Sequence, residues 1–75
     1  MLFAKNKTYV MQIEGMMCQH CVAHVQKALE GVKGVKNVNV SLESNSATVE
    51  ANAKAQQLSE AVANAGYTVV NITEQ

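Results

Sequence analysis

The stretch from Val38 to Ala51 constrains this chain more than any other. Val38, Val40 and Leu42 alternate with Asn39, Ser41 and Glu43, and Ala47, Val49 and Ala51 alternate with Ser46, Thr48 and Glu50. Such alternation describes two strands, each with one buried face. Ser44-Asn45 between them suits a short turn, because both side chains can hydrogen-bond their own backbone. The result is a β-hairpin with one dry face, and a chain of 75 residues must cover that face with its own remaining elements.

The rest of the pattern supplies the cover. Thr8 to Glu14 reads as a further strand with Tyr9, Met11 and Ile13 on one face. Tyr67 to Ile72 reads as a fourth, with two possible inward sets, Thr68-Val70-Ile72 or Tyr67-Val69. Between them lie two apolar stripes at helical spacing: Val22, Val25 and Leu29, then Leu58, Ala61, Val62 and Ala65. Gly31, free to take positive φ, is expected to cap the first helix; Asn52 is expected to open the second and Gly66 to close it. The order β-α-β-β-α-β predicts an α+β, ferredoxin-like arrangement, a four-stranded antiparallel sheet covered on one face by two helices. One domain spanning 1–75 is expected, and Met1 and Gln75 suggest a complete small protein.

Composition narrows the function classes. Six lysines balance six glutamates, with no arginine or aspartate, so the basic footprint of a nucleic-acid binder is absent. No apolar run approaches the ~18–20 residues of a membrane span. Met1-Leu2-Phe3-Ala4-Lys5 lacks the apolar stretch of a secretory leader, so a cytoplasmic location is expected, where thiols stay reduced.

Both cysteines lie in Gly15-Met16-Met17-Cys18-Gln19-His20-Cys21, between the first strand and the first helix. Helical steps place Cys18 and Cys21 about 60° apart on one flank, so both sulfurs can converge just outside the helix start. Unpaired N–H groups and the helix dipole favour thiolate there. A four-residue disulfide would contribute only about 2 kcal/mol. A thioredoxin-type oxidoreductase also uses C-x-x-C, but that fold relies on a cis-proline and this chain has no proline. Two thiolates without a further ligand pair suit a soft ion of low coordination number, above all Cu(I), whereas structural zinc wants four ligands. No paired general base and nucleophile suggests an enzyme.

Gly-Met-x-Cys-x-x-Cys after the first strand, Gly31-Val32 leading into the second and Ala65-Gly66-Tyr67 before the last resemble the heavy-metal-associated domain family. The likeness runs from about Lys7 to Ile72. The family comprises small copper chaperones and the N-terminal domains of copper- and zinc-transporting P-type ATPases. His20 between the cysteines and Tyr67 in the last loop look most like the bacterial standalone copper chaperones. Zinc-carrying relatives usually place an aspartate where Met17 stands. The Asp-Pro lead-in usual before the second helix is replaced by Ala51-Asn52-Ala53. The resemblance implies Cu(I) carried on Cys18 and Cys21, a copper-transporting P-type ATPase as recipient, a copper-responsive repressor as a further partner, and a monomer that metal can bridge into a dimer. Zn(II), Cd(II) or Hg(II) is the alternative cargo, a metal-binding domain of a larger transporter the alternative setting, and a small dithiol oxidoreductase the alternative of another class.

The neighbours of the motif have bland and functional readings. Met16 is read as a core anchor for the loop rather than a thioether ligand. Met17 faces solvent. His20 and His24 fall away from the apolar stripe and are read as solvent-facing, although His20 can act on the thiolates through its charge and zinc can recruit either one. Tyr67 either packs as an ordinary amphipathic ring or brings its hydroxyl to the sulfurs. Lys27, Lys33 and Lys36 are either solvated or a patch for an acidic partner. Gly15, Met16, His20 and Tyr67 are thus the expected supports of a Cys18–Cys21 site.

Overall fold

The computed structural model describes residues 6–75. The reading of Met1–Lys5 lies outside the described residues. Six elements follow one another: β1 (Lys7–Glu14), α1 (Gln19–Glu30), β2 (Val35–Ser41), β3 (Ser46–Ala51), α2 (Ala55–Asn64) and β4 (Thr68–Glu74). The strands form one antiparallel sheet in the order β2-β3-β1-β4. This is the ferredoxin-like βαββαβ arrangement.

Alternation in the centre of the sheet decides which face the helices cover. Tyr9, Met11 and Ile13 of β1 and Ala47, Val49 and Ala51 of β3 point one way and are buried. Register sets a large side chain beside a small one: Met11 opposes Ala47, and Tyr9 opposes Val49. The low β3 alanines leave room for Val25 and Leu29 of α1 and Leu58 and Val62 of α2, all fully buried. Each such aliphatic side chain contributes about 1.5–3 kcal/mol by leaving water. The Tyr9 hydroxyl donates to the Ala53 carbonyl at 2.8 Å, so this buried ring keeps its polar tip satisfied.

The two edge strands depart from simple alternation. In β4, Gln12 pairs with Asn71 but Ile13 pairs with Val69, so Val70 is an extra residue. The bulge turns Val69 and Ile72 inward and leaves Val70 exposed. Of the two inward sets read from the sequence, Tyr67-Val69 is the one that faces the core, and the bulge adds Ile72 to it. In β2, Lys36 is bulged in the same way between Val35 and Asn37. That strand therefore begins at Val35, three residues before its alternating run.

One expected cap keeps its place and another moves. Gly31 is the C-cap of α1 as expected, but at φ −78°, an ordinary helical value, and the positive φ falls on Gly34 instead. Asn52 does not open α2. Lys54 is the N-cap, and its N–H is held by the Gln57 side-chain oxygen at 3.1 Å. Asn52 acts elsewhere, through its backbone. Its N–H donates to the Gly34 carbonyl at 2.8 Å, tying the α1–β2 turn to the end of β3. At φ +96° with the Asn52 carbonyl against its α-carbon, position 34 has no room for a side chain.

Substitution at the two glycines separates these roles. Gly34→Ala is expected to destabilise by about 2–4 kcal/mol, from strained backbone and overlap together. Gly31→Ala, at a helical φ in ordinary contact distance, should be neutral or stabilising by up to about 1 kcal/mol. Urea unfolding of both variants measures this, and equal losses would contradict the assignment of the close approach to Gly34.

Candidate metal centre

The site begins where β1 leaves the sheet. Gly15, at φ +102°, turns the chain, and Met16 drops back into the core at 5% exposure. Met17 is 86% exposed. The chain thus crosses from core to solvent within one residue. Cys18 follows as the N-cap of α1 in extended conformation, and its carbonyl accepts from Cys21 N–H at 3.0 Å and Val22 N–H at 3.2 Å. The Cys18 side chain takes no part in capping. Its sulfur lies 3.7 Å from that of Cys21, and both are free thiols. Cys18 is exposed and Cys21 half-buried.

A second segment closes the site from the other end of the chain. Helix α2 ends in a Schellman turn: Gly66 N–H donates to Ala63 O at 3.0 Å and Tyr67 N–H to Val62 O at 3.2 Å. This turn carries Tyr67 to the edge of the dithiol loop, with its ring against the α-carbon of Gly15. The ring packs on the core while its hydroxyl reaches the polar rim. There it meets Nδ1 of His24 at 3.4 Å.

The electrostatics follow from these neighbours. The Tyr67 hydroxyl beside Cys21, the Met17 and Cys18 backbone and the Cys18 side chain together hold the Cys21 thiol down at about 7, from an ordinary 9.0, against some desolvation. At neutral pH this raises the thiolate fraction from about one in a hundred to about one half. The Tyr67 hydroxyl is pushed up in return, chiefly by its hydrogen bond to Cys21. From sequence alone the helix end is the expected stabiliser of thiolate; the donors that act are the loop and a tyrosine 46 positions away in the chain.

His20 sits exposed in the first turn of α1, and His24 is exposed one turn later. Among the described residues, no three His, Cys, Asp or Glu side chains converge as a ready metal cluster. The dithiol therefore stands as a two-donor site. The Tyr67–His24 contact is the feature that sequence reasoning missed; the i, i+3 spacing of Cys21 and His24 is the one signal that pointed near it.

Among the described residues, the lysines do not gather at this end. Lys7 and Val35 lie in the row of Ala51, at the far end of the sheet, and Lys33, Lys36 and Lys54 flank that row. The 12-residue α1 separates them from the cysteines by roughly 18 Å. Glu14, at the end of β1, and Glu43, in the β2–β3 turn, are exposed charges at the thiol end of the sheet; that turn joins β1 there through Ile13 N–H to Asn45 O at 2.8 Å. The expected docking patch of Lys27, in the last turn of α1, with Lys33 and Lys36 beyond it, thus lies toward the end away from the thiols.

Fold and site together define a ferredoxin-like domain that presents a dithiol at a helix start. The heavy-metal-associated domain model matches residues 10–68, and the chain belongs to that family. It is 40% identical over 58 residues to the copper chaperone CopZ of Enterococcus hirae, covering 73% of this chain and 84% of that protein. It is 36% identical over 69 residues to the mercuric transport protein periplasmic component of Pseudomonas aeruginosa, covering 88% and 76%. The N-terminal domain of a potential copper-translocating P-type ATPase from Bacillus subtilis, in the Cu(I)-loaded state, superposes with a TM-score of 0.80 at 32% identity, covering 93% of this chain and 91% of that one. Two mercuric reductases also match, but the chain spans only 8% and 12% of their length. Among the described residues, no helix is long and apolar enough to cross a membrane.

The thiolate assignment predicts a pH profile. Thiolate absorbance near 240 nm in the reduced, metal-free protein should rise with a midpoint near 7 for Cys21. Tyr67→Phe removes the largest lowering influence and should move that midpoint up. An unmoved midpoint would show that the hydroxyl does not act on the sulfur.

Proposed function

We propose that this chain is a cytoplasmic Cu(I) carrier that delivers its ion, by thiolate exchange, to a copper-transporting P-type ATPase. The carrying observation is the sulfur pair 3.7 Å apart, one sulfur on an exposed cysteine, with no third donor assembled beside it among the described residues. Two thiolates satisfy a soft monovalent ion and leave open coordination positions. An incoming thiolate can then bind before an old one departs, so no free ion is released. The likeness to a Cu(I)-loaded ATPase domain supports a recipient of the same fold, for which exchange runs between similar sites. A copper-responsive repressor is a further acceptor, and a shared ion can bridge two copies into a dimer. The cargo is carried and not transformed, so no catalysis is assigned.

Hg(II) is the second reading, favoured by the mercuric transport relative, since it too is soft and binds two thiolates. Zn(II) and Cd(II) fit less well, because they require a fuller donor set. Competition under reducing conditions decides: Cu(I) should stay on the protein against equimolar Zn(II), and Cys18→Ser or Cys21→Ser should each abolish tight Cu(I) binding against a chelator. Wild-type affinity in either variant would refute the site.

Exchange has its own kinetic signature. Stopped-flow transfer to a second C-x-x-C domain should accelerate with acceptor concentration; a rate independent of it would mean that copper dissociates first. Lys33→Glu and Lys36→Glu should leave the rate unchanged, since both lie at the far end. Glu14→Lys and Glu43→Lys should alter it, and more so at low salt.

A further inference from the structure

His20 and His24 stand four residues apart on the regular helix α1, and both are exposed. That spacing stacks two side chains on one helix face, about 5–6 Å apart at Cβ, the separation by which helical histidine pairs chelate a single ion. Spacing alone is common and carries little. The second observation is the hydrogen bond of His24 Nδ1 with the Tyr67 hydroxyl at 3.4 Å.

That bond engages one ring nitrogen and leaves the other. Nδ1 faces the hydroxyl, so Nε2 is the nitrogen open to an ion, on an exposed ring. With an ion on the Nε2 lone pair, the ring hydrogen lies on Nδ1 and donates to the Tyr67 oxygen. A ligating histidine whose other nitrogen donates to a fixed oxygen is the usual supported metal ligand. Tyr67 therefore supports the pair from behind while it supports Cys21.

We infer that His20 and His24 form a second metal site, a two-imidazole chelate for a borderline divalent cation such as Zn(II), completed by water. Imidazole suits such ions as thiolate suits soft ones. The positive end of the helix dipole opposes a cation here, so the site is a weak one. Two donor sets of different softness then lie side by side on the first turns of one helix. A divalent ion has a place on nitrogen while the sulfurs hold their own cargo. The nitrogen site stands whichever ion the sulfurs bind.

The test removes the thiols and keeps the rest. In Cys18→Ser/Cys21→Ser an oxygen acceptor for Tyr67 remains at position 21. Zn(II) titration, followed by calorimetry and by imidazole NMR, should show one equivalent bound, with both histidine rings shifted. His20→Gln or His24→Gln in that background should weaken binding at least tenfold. Tyr67→Phe, which keeps both histidines and removes only the hydroxyl at His24 Nδ1, should weaken it roughly tenfold through lost orientation. If the serine variant fails to fold, the iodoacetamide-blocked wild-type chain serves for the histidine comparison. Absence of Zn(II) binding, or binding that survives loss of either histidine, would overturn the site. Unchanged affinity in Tyr67→Phe would overturn the supporting role of the hydroxyl.

Discussion

The burial of Met16 is the constraint on which the dithiol loop depends. Met16 is 5% exposed and its neighbour Met17 86%. A flexible, unbranched side chain fills an irregular space at the end of the core and pins the loop there. Two residues later the chain must already be at the helix entry, with Cys18 as its N-cap. The sulfurs come within 3.7 Å of each other as a consequence of core packing. The entropy of ordering the loop is therefore spent during folding and not when an ion arrives.

The site is also a product of long-range closure. Residues 15–24 supply the loop and its helix, while Tyr67 arrives from the far side of α2 through the Schellman turn. The ring can lie over Gly15 only because β4 pairs with β1 beside it. Any change that slips the β1–β4 register would carry Tyr67 away from Cys21 and His24 together. The bulge at Val70 is part of that register: without the extra residue, Ile72 and Val69 could not both face the helices.

These dependencies explain what could be read from the residues alone. The central strands were legible because a half-buried strand writes its burial in period two, and the dithiol because C-x-x-C at a strand–helix junction brings its own geometry. The edges were not, since Lys36 and Val70 each insert one residue and reverse the alternation beyond it. Nor were the glycines: Gly31 has the local look of a cap, but the need for φ > 0 arises at Gly34 from Asn52, a contact 18 positions away. Lys27, Lys33 and Lys36 are near neighbours in sequence to the motif's helix, yet that helix carries all three toward the end away from the sulfurs. The Tyr67–His24 bond spans 43 residues, and no local pattern encodes it.

The donors around Cys21 bear on release as well as capture. Hydrogen bonds from Tyr67 and the loop backbone stabilise the thiolate by occupying part of the electron density that a metal would use. A thiolate of lower basicity is a poorer nucleophile but a better leaving group. Cys18 is the more exposed of the two, so the cysteines stand in different surroundings although the motif writes them alike. A carrier needs this asymmetry more than it needs strength. With a third ligand, an ion would be held more firmly against a partner's thiolate. On the proposed reading, two sulfurs in unlike surroundings, with no third donor assembled among the described residues, suit an ion that is bound while alone and mobile on contact.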